Sequence, residues 1–219
     1  MANYLYFCTL SIANNVLSLR PYYHPMQSVI PAEEKEVTYT EFLPCEALRP
    51  FIYCYWELKS PLRNTPFCYR VVADGCIDLF FDCNNAQMSS LMGYCNTYIE
   101  FPITGAFHYV GVRFLPSAFP LLFGQDAFEI STQEIPLREV VPALATFITQ
   151  QLETPLSLAT IAQHLDNYFL RHLSQRPLQM DNRFFSALLQ ILQSKGSIHI
   201  SELDTGISAR QLRRLFDYY

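Results

Sequence analysis

The stretch FCYRVVADGCIDLFFD, Phe67 to Asp82, decides the fold class. Two runs of aromatic and β-branched residues, 67–72 and 76–82, flank Asp74-Gly75. Such runs favour the pleated, half-buried surface of a strand. Asp-Gly supplies the positive φ that a type I′ turn needs at both central positions, so the two runs are expected to pair as a hairpin. Outward from here the texture repeats at 37–43, 51–58, 98–101 and 107–114, with Pro, Gly, Asn and Asp between the runs. Six short strands with short connections predict an antiparallel barrel or sandwich rather than a parallel sheet alternating with helices.

After Pro116 the apolar period lengthens from two to about 3.6, the period of a helix. A brief helix is expected at 117–123, closed by Gly124, and another over 136–151 that Pro142 disturbs or breaks. Thr154 and Pro155 read as an N-cap and first-turn proline for a stripe of Leu158, Ile161, Ala162, Leu165, Phe169 and Leu173. Asp181 caps a further helix carrying Phe184, Phe185, Leu188, Leu189 and Leu192, which Gly196 stops. The chain is thus expected to be α+β, in four parts. These are an arm at 1–36, a β-rich domain at 37–135, bridging helices at 136–196 and a final segment at 197–219.

Half of the 219 residues are hydrophobic and 16% are charged, a composition that excludes a disordered chain. The net charge of −5 is unevenly spread. Residues 1–150 hold 8 basic and 14 acidic side chains, whereas 151–219 hold 7 and 6. The seven cysteines all precede residue 100, with no C-x-x-C pair, which argues against a zinc site or a secreted disulfide framework and for reduced thiols in the cytoplasm. The apolar start lacks the basic region of a secretion signal, and no apolar run is long enough to span a bilayer, so no membrane partner is expected.

The last stretch, ISELDTGISARQLRRLFDYY from Ile200 to Tyr219, points to a partner. Ser208 and Gln211 are spaced as a capping box, so a helix starts there. Leu212, Leu215 and Phe216 form its apolar face, and Arg210, Arg213 and Arg214 spread over the rest. Gly206 permits a tight turn after a short apolar segment containing Ile198, Ile200 and Leu203. This is the grammar of a helix-turn-helix, whose second helix enters the DNA major groove by its N-terminal half. Ser208, Arg210, Gln211, Arg213 and Arg214 are accordingly the DNA-binding candidates, with Arg210 and Arg213 for base edges and Arg214 for phosphate or structure. An ordinary amphipathic helix with a solvated arginine face is the alternative.

Gly206-Ile207-Ser208-x-Arg210-x-Leu212-x-Arg214-x-Phe216 resembles the first helix-turn-helix of AraC-type transcriptional regulators. Leu203-Asp204-Thr205-Gly206 is clipped relative to that family, with Asp204 where alanine is common, and only the truncated opening of the family's DNA-binding region is expected here. Leu48 to Glu57, Ala73 to Phe81 and Gly111 to Ala118 resemble, more loosely, the sensor domain that precedes it in some members. The resemblance implies a compact, cupin-like domain that binds a small effector, and adjoining helices that dimerise.

Tyr53, Tyr55, Trp56, Tyr69, Phe80 and Tyr109 alternate along the expected strands, so some face inward and could line an apolar effector pocket. Arg113, a charge inside an apolar strand, either faces solvent, pairs with Asp78 or Glu57, or meets an acidic effector. Cupin-like domains also host metal enzymes, but His24, His108, His164, His172 and His199 contain no His-x-His pair, and no nucleophile elbow or phosphate loop is present. No catalytic residue, metal or cofactor is therefore expected. The rival readings are a small-molecule-binding or metal-dependent cupin-like protein, and a short dimerising antagonist of full-length regulators.

Overall fold

The computed structural model describes residues 18–24, 30, 36–61, 66–131, 133–152, 156–176 and 178–219. Among these residues eight strands form two antiparallel sheets: β1 (Thr38–Phe42), β2 (Ile52–Ser60), β3 (Phe67–Val71), β4 (Ile77–Asp82), β5 (Asn85–Met92), β6 (Ile99–Ile103), β7 (Phe107–Phe114) and β8 (Glu134–Pro136). Six of them pair in the order β1-β2-β7-β4-β5-β8, and β3 pairs with β6 in a sheet of its own. The class is α+β, as the residue patterns predict, and the larger sheet ends in β1 and β8 rather than closing on itself.

Register divides the central strands between two layers, because successive side chains point to opposite faces. Tyr55, Val112, Leu79 and Leu91 lie side by side across β2, β7, β4 and β5, all fully buried on the helix-covered face. The neighbouring rows are Trp56, Gly111 and Phe80, then Cys54, Arg113 and Asp78. This second face packs toward the β3–β6 sheet through Trp56, Leu58, Phe67 and Phe107, with Tyr69, Phe80, Ile103 and Tyr109 alongside.

The expected Asp74-Gly75 hairpin does not form. β3 pairs with β6, whereas β4 pairs with β5 and β7. Asp74 instead accepts the Cys76 backbone N–H at 2.9 Å and the Tyr23 hydroxyl at 2.8 Å. A carboxylate that bonds its own backbone two residues on turns the chain without a hairpin, and here it carries the chain from one sheet to the other. Strand β5 escaped the propensity reading because Asn85-Ala86-Gln87-Met88-Ser89-Ser90 is polar and unbranched. Its pairing with β4 supplies the order that propensity lacks.

Downstream come α1 (Ala118–Phe123), α2 (Ala127–Ile130), α3 (Leu137–Val140), α4 (Pro142–Gln151), α5 (Leu158–Gln175), α6 (Asn182–Gln193) and α7 (Ala209–Tyr218). Gly124 closes α1 at φ +69°, its N–H bonding Pro120 O at 2.7 Å. Pro142 does break the expected helix, with Val141 as the non-helical joint between α3 and α4. The predicted stripe of α5 is buried throughout, but its N-cap is Ser157, which accepts from Thr160 N. Thr154 and Pro155 lie outside the described residues. Asp181 caps α6 by accepting from Arg183 N, and Gly196, at φ +78°, follows its end. Among the described residues no helix is long and apolar enough to cross a membrane.

One polar link joins the sheet to α5. Asp166 accepts the Tyr55 hydroxyl at 2.7 Å and the Cys45 backbone N–H at 3.1 Å. Burial holds the Asp166 carboxyl above the usual range, against the pull of these hydrogen bonds. Tyr55→Phe keeps the ring and removes the donor, leaving a desolvated acceptor, and is expected to lower unfolding stability by about 1–3 kcal/mol. Urea denaturation checks this: the midpoint should fall with an unchanged slope.

Candidate functional site

Between the two sheets lies a cavity of about 210 Å³. Trp56 and Leu58 come to it from β2, Tyr109 and Arg113 from β7, Asp78 and Phe80 from β4, Met92 from β5 and Glu134 from β8. The β3–β6 pair faces them with Tyr69, Val71, Phe101, Pro102 and Ile103. The walls are largely aromatic: Trp56 and Phe80 have centroids 6.5 Å apart, and Phe80 meets Tyr109 edge-on at 6.3 Å. Burial pushes the Tyr69 phenol up to about 12, so it stays a neutral hydroxyl at physiological pH.

Gly111 makes the Trp56 position possible. A Cβ built there would stand 2.2 Å from Cε2 and 2.3 Å from Cζ2 of the indole, far inside contact distance. The ring therefore lies across β7 in space that any other residue would fill.

The polar end of the cavity is an ion pair. Arg113 Nε donates to Asp78 Oδ1 at 3.1 Å and its second amino group donates to Oδ2 at 2.8 Å, a bidentate fork. The side chains are 4% and 14% exposed. Burial disfavours the guanidinium charge, but the adjacent Asp78 carboxylate outweighs it and raises the Arg113 pKa. Of the roles open to Arg113 from sequence, pairing with Asp78 is the one observed.

Five of the seven predicted effector residues, Trp56, Tyr69, Phe80, Tyr109 and Arg113, come together in this cavity. Tyr53 and Tyr55 do not. Tyr55 points to the opposite face of β2, into the core and toward Asp166. Tyr53 stacks edge-on with Tyr23 at 5.0 Å, and the Arg20 guanidinium sits 5.0 Å over its ring while donating to the Ile52 carbonyl at 2.7 Å. The register shift between Ile52 and Cys54 separates Tyr53 from the regular alternation. Phe101 and Met92 were not legible as cavity residues, because β6 and β5 reach the cavity through their pairing partners, while Asp78 on β4, expected only as a possible partner of Arg113, enters the cavity with it.

The second candidate site is α7. Ser208 and Gln211 form the predicted capping box, with Ser208 Oγ accepting Gln211 N at 3.3 Å and Gln211 Oε1 accepting Ser208 N at 3.0 Å. Both side chains are thereby committed to the helix start. Arg210, Arg213 and Arg214 are exposed, while Leu212 is buried and Leu215, Phe216 and Tyr219 pack on Phe184 and Phe185 of α6 and Leu121 of α1. Phe184 stacks on Tyr219 at 4.3 Å. The short segment before it holds a single helical turn, the 3-10 turn Ile200–Glu202, capped by Glu202 accepting His199 N at 2.8 Å. Gly206 turns the chain at φ +68°.

Other reactive side chains have structural surroundings. His108 Nε2 lies 2.8 Å from Glu57 Oε1, and His172 Nε2 lies 2.8 Å from Leu122 O. Among the described residues no three His, Cys, Asp or Glu side chains are grouped to hold a metal. The six described cysteines are unpaired, and burial pushes Cys83 up to about 12 and Cys45 up to about 11, so these thiols remain protonated near neutral pH.

Replacing Gly111 by Ala is expected to displace the indole and cost about 1–3 kcal/mol. Because Trp56 is the only tryptophan, its emission maximum reads the displacement directly; an unshifted spectrum at full stability would contradict the close contact.

Residues 40–136, from within β1 through β8, match the family model described as Domain of unknown function (DUF6597). No curated protein and no solved structure matches the chain.

Proposed function

We propose that the chain is the effector-sensing part of a DNA-binding transcription regulator of the AraC type, with a cupin-like sensor, acting in the cytoplasm as a homodimer. The observation that carries this reading is the aromatic cavity with a buried ion pair in the same chain as a capped helix with three exposed arginines. The two are joined through packing. Strand β7, which bears Tyr109 and Arg113, runs through Leu115 and Ser117 into α1, whose Leu121 meets the α6–α7 cluster. A ligand that shifts β7 would shift the seat of α7, and so alter how its arginines meet DNA. The 3-10 turn before α7 gives it less support than a full first helix would. A rival reading, in which α7 serves packing alone, draws on the engagement of Leu212, Phe216 and Tyr219.

Two measurements in a full-length context test the proposal, since residues 1–219 by themselves are expected to bind DNA weakly. There, selection from a randomised duplex library, scored by fluorescence anisotropy, should yield a salt-sensitive preferred sequence. Arg213→Ala should then relax discrimination at one base pair by roughly 1–3 kcal/mol, whereas Arg214→Ala should weaken all sequences alike and reduce the salt slope by about one. Absence of any salt-dependent complex would favour the rival.

A further inference from the structure

The cavity also constrains what it can hold. Trp56 is 8% exposed, and its indole N–H is buried with no acceptor among the described residues. The nitrogen sits in space that a side chain at Gly111 would occupy, 2.7 Å from where its Cβ would stand. Gly111 lies between Trp56 and Phe80 in the sheet register, so this space is on the cavity face. A buried donor without a partner is costly, and a ligand that supplies the acceptor recovers that cost.

Charge and size narrow the class further. Arg113 and Asp78 already neutralise one another at the polar end, so a ligand carrying its own charge would bring an uncompensated ion into a desolvated cleft. Glu134 at the β8 edge is exposed and adds a further obstacle for anions. Since a cavity of ~150 Å³ accepts a benzene ring, about 210 Å³ is room for a flat one- or two-ring molecule. Walls built from Trp56, Phe80, Tyr109 and Phe101 favour a ring face over an aliphatic chain.

We infer that the ligand of this cavity is an uncharged, planar aromatic compound whose carbonyl or ring acceptor takes the Trp56 indole hydrogen. The inference rests on the reading of the cavity as an effector site. Four probes of similar outline separate its elements: coumarin, neutral with an acceptor; naphthalene, neutral without one; naphthoate, an anion; and N-methylquinolinium, a cation. The sole tryptophan produces one indole signal in a proton–nitrogen correlation spectrum of the whole protein. Coumarin is expected to move that signal downfield and to bind roughly tenfold more tightly than naphthalene by calorimetry, the charged pair more weakly still. In Trp56→Phe, coumarin should fall to the affinity of naphthalene; should that variant not fold, the wild-type indole signal decides. Equal binding of naphthalene, or tighter binding of either ion, overturns the ligand class and leaves the cavity as a binding site. If none of the four perturbs the indole or another lining residue, the effector-site reading falls with it.

Discussion

Strands β2, β7 and β4 are covered on both faces, by helices on one and the second sheet on the other, and the rest of the structure depends on that constraint. A strand covered on one side by helices and on the other by a second sheet must place each side chain in one of two dissimilar environments. Tyr55, Val112 and Leu79 meet the helices, while Trp56, Gly111 and Phe80 meet the cavity. A slip of one residue would send the indole into the helix layer and the Tyr55 hydroxyl away from Asp166. Gly111 is the sharpest expression of this, since the Trp56 part of the cavity wall fits only because β7 has no side chain there.

The same strands link the cavity to the arginine-bearing helix. Arg113 and Asp78 form a fork inside the sheet, so movement of either strand at the polar end is felt by the other. β7 leads almost directly into α1, every residue of which is buried. α1 in turn shares an apolar cluster with α6 and α7. Cavity and arginine face are thus connected by packed elements, and packed elements move as units rather than deforming gradually.

Much of the helical half was legible, because its signals are local. The stripe from Leu158 to Leu173, the Asp181 cap, the break at Pro142 and the Ser208–Gln211 box depend on spacings of a few residues. Local signals also misled. Asp74-Gly75 has the composition of a hairpin turn, yet Asp74 spends its carboxylate on Cys76 N and Tyr23, and the flanking strands part company. The clipped segment before Gly206, by contrast, holds the one helical turn its length suggests, Ile200–Glu202.

By itself the sequence determined six of the strands, the longer helices, the caps at Asp181 and Ser208, and that aromatics and Arg113 alternate through the β half. Hydrophobic period and capping chemistry act between near neighbours, so they survive in a linear reading. Only the tertiary structure decided which aromatics share a cavity and which serve the core. That choice depends on pairings between distant segments, such as β4 with β7 and β3 with β6, and on a register shift that leaves Tyr53 outside the regular alternation of β2. It also decided that Arg113 meets Asp78, because the two become neighbours only when β4 and β7 pair.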